Sequence, residues 1–146
     1  MPVSAVALFC EDIREEKSGV NTLIGILPDN VAPPASSGPS DGAPIAKLCI
    51  YLRINFSPSD KVLAGTAKLL DPERNAIELG EITQALIDQA SETAKKQGSP
   101  LAGLLTRAHL SAFALRGYGR FTVEVVLGDE TYVAGFVNFQ QPPKST

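Results

Sequence analysis

The chain has 146 residues, a length that suits one domain with a core large enough to need no disulfide or metal. Hydrophobic residues make up 44% and charged residues 20% of it, a balance that excludes a wholly disordered protein. The net charge of −3 argues against general nucleic-acid binding, because phosphate neutralisation needs clustered Lys and Arg. No apolar run approaches the ~20 residues that cross a bilayer, so a membrane is not expected as a partner either.

The N-terminal segment lacks the charged start and the long apolar stretch of a secretory signal. We therefore expect a cytoplasmic protein in which Cys10 and Cys49, its two cysteines, stay reduced. Cys10 ends an apolar stretch and is expected to be a small core residue. Residues 141–146 are expected to form a flexible tail.

Alternating apolar and polar residues predict that strands dominate the chain. In the clearest run, 48–56, every second residue from Leu48 to Phe56 is apolar, and Tyr51 and Arg53 occupy the other face. Turn residues separate other runs, as at Gly128 between 121–127 and 131–139, and in the segment 71–75 between 64–70 and 76–82. The expected strands are 5–14, 21–27, 48–56, 64–70, 76–82, 110–115, 121–127 and 131–139.

Two segments interrupt the strand pattern. Residues 82–106 are predicted to form a helical insertion. Its first helix is expected to end at Gly98, because Lys95 and Lys96 suit the last turn of a helix and Gly a C-terminal stop. A short second helix is expected to follow. Residues 28–44 are rich in Pro, Gly and Ser, and a mobile linker is favoured over a functional loop. The sequence thus predicts a single mainly β domain over 1–140, an antiparallel β-sandwich of roughly eight strands with one helical insertion.

Acidic residues cluster at the end of the first strand and suggest a weak Ca²⁺ site, since sandwiches bind this ion with carboxylates at loops. Basic residues are interleaved with them, so a solvated hairpin end is the alternative. These weak metal candidates are Glu11, Asp12, Glu15 and Glu16.

Catalysis finds little support in the sequence. His109 is the one histidine, and its spacing from Ser111 is common by chance, so we expect it to pack beside the helical insertion. With only Cys10, Cys49 and His109, a tetrahedral zinc site would also require a carboxylate, and three distant segments would have to converge, so zinc is not expected. We therefore predict that the protein is not an enzyme and needs no cofactor.

Two surface patches are the candidate binding sites. Arg116, Tyr118 and Arg120 alternate around two glycines, which indicates either a tight bend or a basic and aromatic spot for an anionic ligand or partner. In the last strand, Tyr132 and Phe136 share one face in the alternation, so they form either an exposed aromatic pair or a surface covered by the helix.

Several segments in order resemble an uncharacterised bacterial family of small β-sandwich proteins, known only as a domain of unknown function. The resemblance implies a cytoplasmic β-sandwich of bacterial origin and transfers no activity and no catalytic residues. It covers most of the chain and depends on residues 8–13, 19 with 22–26, 70–73, 119–123 and 128–129.

Taken together, these features predict a non-catalytic binding or assembly module that acts through an exposed sheet face or edge. Its partner is expected to be another protein or a second copy of the chain. The alternative is binding of a small ligand or ion, such as Ca²⁺, an anion or a glycan, at the loop end of the sandwich.

Overall fold

Two stacked sheets form the framework of the protein in a computed structural model that describes residues 3–31, 47–111 and 117–140. Over these residues, the chain forms nine strands and one helix. Their bounds are β1 (Ser4–Glu15), β2 (Asn21–Ile26), β3 (Asn30–Val31), β4 (Lys47–Phe56), β5 (Gly65–Leu70), β6 (Ala76–Ile82), α1 (Gln84–Gln97), β7 (Ala102–Ser111), β8 (Gly119–Leu127) and β9 (Glu130–Phe139).

The strand order confirms the predicted mainly β sandwich. One sheet has four strands in the order β2-β1-β4-β7, and the other has five in the order β3-β9-β8-β5-β6. All pairings are antiparallel except the short β3–β9 contact, which is parallel. The apolar residues of this alternation fill the space between the sheets, where Leu48, Ile50 and Leu52 from β4 share one buried cluster with Phe121 and Val123 from β8.

The helix is shorter than the sequence predicts. It begins after Thr83, whose side chain accepts a hydrogen bond from the Leu86 amide at 3.2 Å, and it ends at Gly98, which has a left-handed φ of 66°. Ile87 and Ala94 anchor it in the core between the sheets. The α-helix thus occupies 84–97 of the predicted 82–106.

The second half of the predicted insertion is instead strand β7, and the prediction of a second helix was wrong. Ala102, Leu104, Ala108 and Leu110 face the core at a period of two, and β7 pairs with β4 along its whole length. The strand expected at 110–115 begins earlier, at Ala102, and residues 112–116 lie outside the described part.

A bulge in β9 inverts the alternation expected there. Val123 of β8 lies opposite Gly135, but Glu124 lies opposite Val133, so Ala134 is an extra residue in β9. Before the bulge Tyr132 packs against the core, and after it Val137 is fully buried.

Of the two segments expected to be flexible, the long loop is described in part. Its residues Asn30 and Val31 form β3 beside β9, whereas 32–46 and the tail 141–146 lie outside the described residues. Within the described ranges, no helix combines the length and the apolar character that crossing a bilayer would require.

Candidate functional site

The outer face of the four-stranded sheet carries the candidate site. Residues that lie directly opposite each other on neighbouring strands share one face of a sheet, so the strand register assigns this surface. Three rows cross it, namely Ile26, Cys10, Cys49 and His109; then Leu8, Tyr51 and Arg107; and then Val6, Arg53 and Leu105.

The far end of the β1–β2 hairpin lies against this outer face. Ile13 and Leu23 from the hairpin pack on Cys10, Cys49 and Tyr51 in a small apolar cluster. This contact explains why Cys10 and Cys49 are fully buried although they face away from the main core.

Two polar contacts hold the hairpin in place. Arg107 of β7 donates hydrogen bonds to the carboxylate of Glu15 at 3.1 Å and to the side-chain oxygen of Asn21 at 3.0 Å. Both contacts are exposed, so each contributes modestly to stability. Their consequence is positional, since they fix the hairpin tip over β4 and β7.

A groove of about 450 Å³ lies between this tip and the strands beneath it. We call it the hairpin groove, and its lining includes Val20 and Asn21 from the tip, Tyr51 and Arg53 from β4, and Leu105 from β7. Arg53 is exposed, and among the described residues its guanidinium has no hydrogen-bond or ion-pair partner. The hairpin groove therefore combines an available cation with apolar walls.

Exposed apolar side chains continue from the groove across the face. Val20 is 59% exposed and Leu105 46% exposed in the groove. Val6 on β1, in the same row as Arg53, is 52% exposed, and Leu8 in the next row is 37% exposed. Such neighbouring apolar side chains on one surface are typical of an interaction site.

A polar cluster lies at the other end of the same face. Cys49 Sγ is 3.1 Å from His109 Nδ1, and Lys47 Nζ is 2.9 Å from Asp12 Oδ1. One ligand atom from each of Asp12, Cys49 and His109 lies within 4.8 Å of the others. The hydrogen bond from Lys47 lowers the pKa of Asp12 and raises that of Lys47.

Burial controls the chemistry of both thiols. Loss of hydration raises the pKa of Cys10 to about 11, with a further contribution from Cys49, and burial also raises the pKa of Cys49. Because the thiolate is the reactive form, both groups are poor nucleophiles in this state, even with His109 next to Cys49.

The acids suggested for Ca²⁺ are separated by the structure. Each has a different neighbour: Asp12 pairs with Lys47, Glu15 with Arg107 and Glu16 with Arg14, while Glu11 lies over Gly25. Among the described residues, one group of three possible metal ligands lies close together. It contains Asp12 but none of the other three acids.

The basic and aromatic spot is not formed as the alternation suggests. Tyr118 packs against the core, whereas Arg120 lies on the outer face of the five-stranded sheet with its guanidinium carbon 4.5 Å from the ring centre of Phe136. The positive φ of Gly117 and of Gly119 accompanies this change of direction. Arg116 lies outside the described residues.

Tyr132 and Phe136 point to opposite faces of β9, so the predicted aromatic pair was wrong. Tyr132 lies opposite the buried Val125, and Phe136 lies opposite Thr122 on the outer face. The bulge at Ala134 causes the difference, because one extra residue reverses every later side chain.

His109 also differs from expectation, since it lies in strand β7 opposite Cys49 and points away from the core. The sequence disfavours a zinc site on the two cysteines and His109 and gives no sign of a role for Lys47 or Arg53. Cys49 and Arg53 do alternate with the core residues of 48–56, but only the strand register shows what lies beside them.

Comparison of the chain with protein-family models, with curated proteins and with solved structures found no match. The resemblance to an uncharacterised bacterial family therefore stays a prediction.

Proposed function

We propose that this protein is a non-catalytic binding module whose hairpin groove takes an apolar segment of a partner protein that also carries a carboxylate. The observation that supports it most is Arg53, an exposed cation without a partner among the described residues, set in the lining with Val20 and Leu105. A carboxylate is the natural partner of a guanidinium, because it accepts two parallel hydrogen bonds.

The other outer face of the sandwich is a poorer candidate. On the five-stranded sheet, Arg74 is already paired with Glu124 at 3.3 Å, and Arg120 stacks on Phe136. Charges that already have intramolecular partners gain less from a second protein than an unpaired one does. The proposal therefore assigns binding to the four-stranded sheet.

The non-catalytic part of the proposal is supported by the state of the two thiols. Cys49 is the natural nucleophile beside His109, but it is fully buried and burial raises its pKa. The proposal keeps the cytoplasmic location expected from the sequence, where both cysteines stay reduced.

Selection from a library of random displayed peptides tests the proposal without knowledge of the partner. We expect peptides that bind the wild-type protein to combine apolar residues with Asp, Glu or a terminal carboxylate, and to lose binding to Arg53→Glu. Arg120→Glu is the matched control, because it reverses the same charge on the other sheet and is expected to leave binding unchanged.

Two outcomes would overturn this proposal. One is enrichment of peptides that bind wild type and Arg53→Glu equally. The other is a wild-type protein that forms a dimer in sedimentation experiments and becomes a monomer in Arg53→Glu, since the groove would then be filled by a second copy.

A further inference from the structure

We propose that Asp12, Cys49 and His109 form a binding site for a thiophilic divalent metal ion, with Zn²⁺ as the best-fitting ion. This site is independent of the proposed partner binding. It depends on three side chains from three adjacent strands whose ligand atoms lie within 4.8 Å of one another.

The distances suit a small tetrahedral ion. Zinc bonds of about 2.3 Å to sulfur and 2.0–2.1 Å to nitrogen place the two atoms roughly 3.5 Å apart at a tetrahedral angle. Cys49 Sγ and His109 Nδ1 are 3.1 Å apart, so a shift of a few tenths of an ångström accommodates the ion. The ligand atom of Asp12 lies within 4.8 Å of the other two, so its carboxylate moves by up to about 1 Å to supply the third ligand, and water takes the fourth position.

The donor types select the metal. A thiolate with an imidazole suits Zn²⁺ and similar transition ions, whereas Ca²⁺ and Mg²⁺ require oxygen ligands throughout. This chemistry differs from the Ca²⁺ site suggested by the acidic sequence around Asp12.

The strand register holds the ligands in position. Cys49 lies opposite His109 of β7 and opposite Cys10 of β1. Asp12 follows Cys10 two residues later in β1. A position fixed by ladder hydrogen bonds is more rigid than one in a loop, which favours a metal site of defined geometry.

Lys47 supports the carboxylate from outside. Both the Lys47 ammonium and the Ile13 amide donate to Oδ1 of Asp12, at 2.9 Å each. Oδ2 has no hydrogen-bond partner within the described ranges and is available to the ion. Hydrogen bonds of this kind orient metal-binding carboxylates.

Access and proton balance are straightforward. His109 is exposed, so the ion enters from the solvent side, while Cys49 forms the buried floor of the site. Binding replaces the thiol proton of Cys49, which is released to the buffer, and the neutral imidazole of His109 binds through its lone pair.

Titration with Co²⁺ under reducing conditions, on protein without a histidine tag, tests the proposal. The expected result is one saturable Co²⁺ site with a thiolate-to-cobalt charge-transfer band, which Zn²⁺ then abolishes by displacement. Cys49→Ser is expected to lose the band, and His109→Gln and Asp12→Asn to weaken Co²⁺ binding at least tenfold. Cys10→Ala, the matched control at the neighbouring thiol, is expected to keep both.

Three results would overturn the proposal. The first is the absence of a saturable charge-transfer band in the wild type. The second is a band that persists in Cys49→Ser and disappears in Cys10→Ala. The third is His109→Gln binding Co²⁺ as wild type does. His109 is exposed, so this last variant decides the question even where Cys49→Ser fails to fold.

Discussion

Because of the bulge in β9, the same substitution is expected to cost much more stability at one valine of the strand than at another. Val133 and Val137 are four residues apart, so regular alternation would place both on one face. In the structure Val137 is fully buried and Val133 is 63% exposed. Val137→Ala is therefore expected to destabilise the protein, and Val133→Ala is the matched control.

The expected size of the effect follows from the buried groups removed. Val→Ala deletes two methyl groups, worth about 0.8 kcal/mol each, or about 1.6 kcal/mol together. The cavity left among Phe121, Phe139 and their neighbours adds to this, so Val137→Ala should cost roughly 2–3 kcal/mol. At Val133, a cost of about 0.5 kcal/mol or less is expected, as for other exposed sites.

Urea unfolding followed by far-UV circular dichroism measures both free energies of unfolding. The chain contains no Trp, so a backbone signal is preferable to fluorescence. We expect the midpoint to fall clearly for Val137→Ala and to stay near the wild-type value for Val133→Ala. Equal losses for the two variants would refute the bulge and restore regular alternation along β9.

Two further predictions concern the framework. Thr83→Ala removes the N-terminal cap of α1 and should lower the free energy of unfolding by about 1 kcal/mol, whereas Thr93→Ala on the exposed helix surface should not lower it. Gly65→Ala would place a Cβ 1.6 Å from the carbonyl oxygen of Val126, so it should separate β5 from β8. The Cβ added by Gly103→Ala would lie 3.1 Å from the nearest atom, in a side chain, so Gly65→Ala should reduce the urea midpoint far more. A Thr83→Ala midpoint equal to that of wild type, or equal midpoints for the two glycine variants, would contradict these contacts.

Local patterns in the sequence predict much of the fold, because the alternation of apolar and polar residues in a strand indicates which of its faces is buried. The alternation in 48–56 matches β4, where the residues of one face are buried in the core. The first half of the helical insertion is also confirmed, with Gly98 at its end as predicted. Such features depend on residues close together in the chain.

The wrong predictions, of a second helix and of the faces in β9, concern features that do not depend on local sequence patterns. Residues 99–106 combine a Pro with three Leu and one Ala, and the Leu and Ala residues favour a helix, but pairing with β4 along the whole of β7 outweighs those weak preferences. The extra residue in β9 leaves no sign in the alternation, so Tyr132 and Phe136 were assigned to one face. Tertiary contacts decided both cases.

The convergence of the site residues cannot be predicted from the sequence for a related reason. Cys49 and His109 are 60 residues apart, and their contact depends on the register between β4 and β7. Arg53 was seen to face away from the core, but the groove around it exists only because the β1–β2 hairpin bends over the sheet. In a strand without a bulge, sequence alone shows which face a residue occupies, but it does not show which residues meet there.

Calorimetric titration of a selected acidic peptide into three proteins tests the central claim most directly. A charge-assisted hydrogen bond to Arg53 is worth about 1.5–3 kcal/mol, and 1.4 kcal/mol is tenfold in affinity, so Arg53→Glu should weaken binding at least tenfold. Arg120→Glu should bind as the wild type does. Equal affinities for wild type and Arg53→Glu, or a loss in Arg120→Glu alone, would contradict the assignment of partner binding to the hairpin groove.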